Sequence, residues 1–218
     1  GSRTLRQILE EDVNPTEENP YIVYLPDGTY NTLADYSADE IANTAFLGLN
    51  VPDYVTLCGI TGNRDAVVLT ATFDTANSRV STINMIGTSH LKNLTVVGNK
   101  TRYAVHDDFA IKSSYDTNYY RNVENCVFVA NECYYGSSYG SGTRSGAIWK
   151  FKDCKFVGQF SWHSNVSFTA PNDITFENCE FDETTYRSII LKSLASGIVN
   201  HIHFIGCNVP GIYINEES

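Results

Sequence analysis

The sequence predicts an all-β fold: a single-stranded right-handed parallel β-helix of about seven coils with a short N-terminal capping helix. Two observations predict it. A six-residue pattern recurs five times at intervals of 25 to 32 residues, which suits one coil of a solenoid and is too short for a domain. The composition agrees, because 14 Tyr, 11 Phe and 15 Gly beside a single Met favour strands and turns over helices.

The repeat predicts how each coil bends. It consists of an apolar residue, any residue, Asn, Asp or Gly, then Cys or Leu, any residue, and Phe or Val, and its copies begin at Leu91, Val123, Phe151, Phe176 and Phe204. The strand alternation is interrupted once, at the Asn position, and Asn, Asp and Gly accept left-handed backbone angles best. We therefore expect two strands joined by a one-residue bend. Stacked coils would then align two columns, one of bend residues (Asn93, Asn125, Asp153, Asn178) and one of inward cysteines (Cys126, Cys154, Cys179, Cys207).

A single helix is predicted, from Thr4 to Glu11. Leu5, Ile8 and Leu9 form one apolar face, and Thr4 can cap the first turn. A polar stretch follows, so the expected division is residues 1–19 for the capping helix and linker and residues 20–218 for the β-helix. The polar start lacks a signal-peptide core, and no apolar run approaches the roughly 20 residues that span a bilayer. We expect no export signal in this stretch and no membrane insertion.

Charge and cysteine spacing exclude several function classes. The chain has 25 acidic and 15 basic residues, a net charge of -10, which argues against a nucleic-acid partner because phosphate binding needs clustered Lys and Arg. No pair of cysteines is spaced as in a zinc site. We expect reduced, buried thiols, with Cys133 the most exposed of them, and neither a metal nor a cofactor.

Several segments resemble known β-helices. The Asn column resembles that of the pectate-lyase-like superfamily, and Leu5 to Glu10 followed by Ile22 to Tyr30 resembles the capping helix and first strand of phage tailspikes. Tyr54 to Ile60 and Arg102 to Asp108 resemble receptor-binding β-helices from phages of Gram-positive bacteria. The resemblance implies the fold and a place on a phage tail (virion) or a bacterial cell surface. It leaves the activity open, because the superfamily includes lyases, hydrolases and non-catalytic binders.

Aromatic residues are the candidate carbohydrate-binding residues. They follow the bend residue by eight to ten positions in four successive coils: Tyr103, Tyr135, Trp162 with His163, and Tyr186. Rungs about 4.8 Å apart would align them in a stripe whose spacing is close to one sugar residue, and flat rings with polar edges suit sugar faces. The expected partner is a bacterial surface polysaccharide. In the other interpretation, the rings pack on one another or on a neighbouring subunit, as in a homotrimer.

Acidic residues are the candidate catalytic groups, namely Asp107, Asp108 and Glu132. Adjacent strand residues point to opposite faces, so only one of the two aspartates can serve a given site. His106 is expected to face inward. The leading hypothesis is a glycan-recognition module of a phage tail or receptor-binding protein. The alternatives are a polysaccharide lyase or glycoside hydrolase on the same surface, and a structural spacer in a trimeric fibre.

Overall fold

The chain folds as a right-handed parallel β-helix. The computed structural model describes residues 3–108, 119–143, 146–164, 172–183, 187–193 and 200–216. Within these ranges the strands form two sheets, and the paired strands run parallel. Because parallel strands need a crossover to return, each coil passes through both sheets before the next one stacks on it. The predicted fold class is therefore confirmed.

The first sheet is bent. The strands before the bend follow one another in this order: β1 (Tyr21–Leu25), β4 (Val55–Gly59), β7 (His90–Asn99), β9 (Tyr119–Asn131), β11 (Ala147–Lys152), β14 (Asp173–Glu177) and β17 (His201–Ile205). Strands β7 and β9 continue through the bend. Beyond it β7 pairs with β5 (Val67–Thr72), which pairs with β2 (Gly28–Asn31). On the other side β9 pairs with β12 (Lys155–Val157), which pairs with β15 (Glu180–Phe181).

The second sheet has one strand from each of seven coils. They are β3 (Leu47–Val51), β6 (Val80–Met85), β8 (Val105–Asp108), β10 (Ser137–Thr143), β13 (Gln159–Ser164), β16 (Ile189–Ser193) and β18 (Ile212–Glu216). Consecutive strands in this list are hydrogen-bonded neighbours. Seven coils agree with the number predicted from the repeat.

The predicted column of bend residues is confirmed. The backbone φ angles are 57° at Asn93, 52° at Asn125, 54° at Asp153, 52° at Asn178 and 63° at Gly206, all in the left-handed region. Neighbouring side chains also bond along the column. The Asn125 amide donates to Oδ1 of Asn93 at 2.9 Å, and the Asn178 amide donates to Oδ1 of Asp153 at 3.3 Å. The residue type thus supplies both the bend and a hydrogen bond between coils.

Aromatic rings stack in register through the core of the later coils. Phe176 is fully buried between Phe151 and Phe204, with ring centroids 5.0 and 5.2 Å away and planes within 14° and 6° of parallel. A second stack joins Phe156 to Phe128 at 5.3 Å and to Phe181 at 5.0 Å. Since strand partners lie at equal depth, identical residues in successive coils meet face to face.

The cysteines are free, and three of the predicted column are buried: Cys126, Cys154 and Cys179. Burial raises the pKa of Cys126 to about 12, so this thiol stays protonated at neutral pH and is a poor nucleophile. The expectation for Cys133 is wrong. Its side chain is 7% exposed, and its sulfur donates to the carbonyl of Gly98 at 3.4 Å. Cys207, in the last coil, is the most exposed of the six.

The N-terminal end of the solenoid is capped by a helical segment. An α-helical turn, α1 (Leu5–Gln7), continues into a π-helical turn (Ile8–Asp12). The predicted cap is present, because the Gln7 amide donates to Oγ1 of Thr4 at 3.3 Å and the Gln7 side chain accepts from the Thr4 amide. Leu9 is 2% exposed and packs on the core. The segment therefore covers apolar surface that a further coil would otherwise cover.

The sequence prediction missed a second helix, α2 (Ala38–Asn43). Ser37 accepts from the Glu40 amide at 3.2 Å, and Glu40 accepts from the Ser37 amide at 2.7 Å. This capping box was visible in the sequence and could have revealed the helix. No helix in the described ranges has the length and apolar character needed to cross a bilayer.

We expect Phe176→Ala to lower the free energy of unfolding by about 3 to 5 kcal/mol, because it removes a ring packed on both sides. Phe204→Ala is the matched control. Its ring stacks on Phe176 but is only partly buried, so the loss should be clearly smaller. Urea melts followed by circular dichroism measure both values, and equal losses would contradict the stacking explanation.

Substitutions at Asn125 should separate the bend from the hydrogen bond. Gly keeps the left-handed backbone and loses only the side-chain bonds to Asn93 and Gly62, so Asn125→Gly should cost about 1 kcal/mol. Asn125→Ala also places a Cβ in the left-handed region, which adds about 1 kcal/mol. Denaturant melts that show Ala to be no worse than Gly would exclude a conformational role for Asn125.

Candidate functional site

Two of the predicted aromatic residues lie together on the outside of the second sheet. Tyr103 precedes β8 and Tyr135 precedes β10, in neighbouring coils. Their rings stack with centroids 5.3 Å apart and planes 28° from parallel. Tyr103 also lies against β10 at Gly140, where an added Cβ would come within 2.7 Å of the ring. Glycine is therefore required at this position for the tyrosine to lie flat on the strand.

Trp162 does not continue this stripe. Its side chain is 2% exposed and belongs to the core, in the middle of β13. The reason is the length of the preceding turn: β8 and β10 each begin 12 residues after the bend residue, whereas β13 begins only six residues after Asp153. Counting from the bend thus places Trp162 inside a strand. Trp162 therefore offers no exposed ring to the predicted stripe.

The structure leaves the other two predicted residues of the aromatic stripe untested. His163 lies in β13, where its backbone pairs with Gly142 and Lys192, but its side chain is outside the described part of the structure. Tyr186 lies outside the described residues altogether. Both assignments stay predictions.

The shorter turn leaves a groove beside Tyr135. Its volume is about 350 Å³, at the low end of the usual range for ligand pockets. It is lined by two tyrosines, two cationic side chains and several hydrogen-bonding groups, namely Arg102, Tyr103, Tyr135, Ser137, Gln159, Ser161, Trp162, Ile190 and Lys192. Tyr135 is 46% exposed, so it presents an accessible ring at the edge of this groove. We refer to these nine residues as the groove.

Arg102 is a groove residue that the sequence interpretation missed. Its guanidinium carbon lies 5.2 Å from the ring centroid of Tyr103, 5.0 Å from that of Tyr135 and 4.9 Å from that of Phe46. Its Nη1 donates to the carbonyl of Ser78 at 2.8 Å. Its position next to Tyr103 in the sequence was the available signal. The contact with Phe46 joins residues 56 positions apart and depends on the coiling.

The predicted catalytic residue Asp107 lies inside the β-helix. Its carboxylate accepts from Arg121 Nε at 2.8 Å and Nη2 at 2.7 Å, and from the Tyr139 hydroxyl at 2.6 Å. Arg121 also donates to the carbonyl of Ser89 at 2.7 Å. The Asp107 and Arg121 side chains are 4% and 1% exposed. Burial, followed by the charge of Asp107, raises the pKa of Tyr139 well above its usual value, so this hydroxyl remains a donor. Asp107 is therefore a structural ion-pair partner, and its carboxylate is not exposed on the outer surface of the sheet.

Glu132 does not join Asp107 in the interior. Glu132 occupies a left-handed bend with φ 52°, and its exposed carboxylate lies 3.6 Å from Lys100 Nζ. The side chain of Asp108 is outside the described part. None of the carboxylate residues lines the groove as described, and the described residues contain no group of three His, Cys, Asp or Glu side chains that could hold a metal ion.

The predicted inward orientation of His106 is wrong. Val105 is in the core and Asp107 bonds to the interior Arg121, so His106 between them faces outward. It is nevertheless only 1% exposed, because the rings of Tyr103 and Phe46 lie over it at centroid distances of 5.3 and 5.5 Å. His106 thus forms part of the base on which the tyrosine pair is packed.

The fold is similar to that of several solved pectin methylesterases. The enzyme from Yersinia enterocolitica has 17% identity and a TM-score of 0.46 over 90% of this chain, which spans 57% of the enzyme's length. The deglycosylated Aspergillus niger enzyme has 13% identity and a TM-score of 0.45 over 99% of this chain and 86% of its own. Its penultimately deglycosylated form gives 13% and 0.41 over 90% and 80%. No protein-family model and no curated protein matches the sequence.

The buried position of Asp107 and the exposed position of Glu132 can be tested by measuring the stability of variants. Asp107→Asn should cost about 3 to 5 kcal/mol, because it leaves the Arg121 charge buried without its partner. Glu132→Gln is the control, and its cost should be under about 0.5 kcal/mol since the side chain is exposed. Thermal or urea melts of the two variants provide the comparison. If Asp107→Asn were as stable as the parent, the assigned structural role would be wrong.

Proposed function

We propose that this chain is a carbohydrate-recognition module of a phage tail or receptor-binding protein, and that the groove contacts host cell-wall or capsular polysaccharide. The observation that carries the proposal is the exposed ring of Tyr135 beside a groove rich in hydrogen-bonding groups. A sugar presents one apolar face, which suits an aromatic ring, and a rim of hydroxyls, which suits amides and hydroxyls. Tyr135 supplies the ring, and Gln159 and Ser161 supply the polar groups.

Pre-organisation also supports binding at this position. Tyr135 is held by the Tyr103 ring on one side and by Tyr134, whose ring centroid is 4.9 Å away at 79°. The Arg102 guanidinium adds a third contact. A ring that is already fixed loses little side-chain entropy when a ligand stacks on it. The β-helix thus provides a rigid aromatic surface without a conformational change.

Recognition is favoured over glycoside hydrolysis. Glycoside hydrolysis by the usual route needs two carboxyl groups flanking the bond to be cleaved. The groove as described is lined by no Asp or Glu, and Asp107 is occupied inside the coil. The phage context rests on the resemblance of the capping helix and of Ile22 to Tyr30 to tailspikes, and it predicts a place on the virion. A homotrimer is the assembly expected of such fibres.

We expect Tyr135→Ala to weaken binding to the purified host polysaccharide by about 1 to 1.5 kcal/mol, roughly tenfold, because it removes the stacking ring. Tyr120→Ala is the matched control. That tyrosine is 48% exposed on β9, on the other sheet, so its loss should leave the affinity unchanged. Affinity electrophoresis or calorimetry gives both values.

Equal affinities of the Tyr135 and Tyr120 variants would contradict recognition at the groove. A reducing-end and unsaturated-product assay on the same polysaccharide addresses the enzyme alternative. Binding without product release is the expected result, and sustained release by the parent protein would replace recognition with catalysis.

A further inference from the structure

The described lining of the groove has a charge opposite to that of the whole chain. The protein carries a net charge of -10, yet the described lining of the groove contains Arg102 and Lys192 and no carboxylate. A local positive region on an acidic protein concentrates anions where the groove opens and disfavours them elsewhere.

Within the described ranges, these two cations lack the carboxylate partners that several surface lysines have. Lys92 lies 3.0 Å from Glu124, Lys150 lies 2.6 Å from Glu177, and Lys155 lies 3.1 Å from Glu180. Within the described ranges, no carboxylate lies in ion-pair distance of Arg102 or Lys192. Unpaired cations in a chain with excess acid are available for a negative group supplied from outside.

Arg102 is also oriented for such a group. Its contacts with Phe46, Tyr103 and Tyr135 hold the guanidinium among three rings. The single hydrogen bond that the guanidinium makes to a described residue uses Nη1, which donates to the carbonyl of Ser78. A guanidinium held in this way retains donors with fixed geometry, which match the paired oxygens of a carboxylate or phosphate. The surrounding rings displace water and reduce the screening of the charge.

We infer that the groove recognises a negatively charged sugar residue, one that bears a carboxylate or a phosphate group. Arg102 binds the charged group, Lys192 adds a second positive charge, and Tyr135 stacks on the sugar ring. This inference rests on the proposed function and adds to it the chemical class of the ligand.

The test compares polysaccharides that differ in charge. The probes are a neutral polymer (dextran), a uronate polymer (polygalacturonate) and a phosphodiester-linked polymer (glycerol teichoic acid), each measured with the full chain by calorimetry at low and at physiological salt. The purified host polysaccharide is included and analysed for uronate and phosphate. The uronate and phosphodiester arms identify which anionic group is preferred. We expect the parent protein to bind at least one anionic probe at least about tenfold more tightly than dextran, and more weakly as salt rises.

Three variants test whether Arg102 is the side chain that binds the anionic group of the sugar. Arg102→Gln should lower the affinity for the anionic probe about tenfold or more and remove most of the preference over dextran. Arg102→Lys keeps the charge without the planar fork and should restore part of the preference. Lys92→Gln removes the same charge from the outer face of the first sheet, where Lys92 pairs with Glu124, and should change nothing.

The outcomes separate the two proposals. Equal binding of neutral and anionic probes, or a host polysaccharide without anionic groups, would overturn the charge inference and leave glycan recognition standing. Failure to bind any of the four polysaccharides would overturn both. If Arg102→Gln weakened neutral and anionic binding by the same factor, Arg102 would only support the rings. Near-ultraviolet circular dichroism of the tyrosines shows whether each variant retains the parent packing.

Discussion

The left-handed bend at the repeat Asn is the constraint on which the rest of the molecule depends. Because Asn93, Asn125, Asp153, Asn178 and Gly206 all adopt φ angles between 52° and 63°, each coil turns at the same place. Successive strands then pair without a shift in register across this part of the first sheet. In-register stacking in turn places Phe on Phe, Cys above Cys and, on the outer face, Lys92 beside Glu124. A one-residue slip would turn every side chain of a strand to the opposite face.

Variation between coils generates the site. The bends are constant, but the turns that follow them differ in length. The segment from the bend to the second sheet is six residues shorter in the coil of Asp153 than in the coils of Asn93 and Asn125. Where the turns are long, Tyr103 and Tyr135 stack over the second sheet. Where the turn is short, it carries no tyrosine equivalent to these two, and the outward side chains of β13 form the floor of the groove. The regular scaffold thus holds the two tyrosines in place, while one shortened turn beside them opens space for a ligand.

Electrostatics divides the charged residues between interior and surface roles. Arg121 and Asp107 are fully buried and satisfy one another, with Tyr139 and Ser89 completing the hydrogen bonds. Such a pair adds little net stability compared with an apolar core, but the loss of one partner is costly. The pair therefore holds together the coils that contribute Asp107 and Arg121. His90, close by, illustrates the effect of this charge: burial and the Arg121 charge lower its pKa to about 4.

The sequence by itself determined the coil, the bend residues, the inward column and the capping helix, because these depend on local backbone preference and on periodicity. It also predicted that Tyr103 and Tyr135 lie together, because their turns have equal length. It could not place Trp162, since the same count from the bend leads into a strand when the turn is shorter. Nor could it separate Asp107 from Glu132, because burial depends on where Arg121 reaches across the coil. The cluster of Arg102 with Phe46 and two tyrosines was decided only by the tertiary structure, in which residues distant in sequence meet through the stacking of coils.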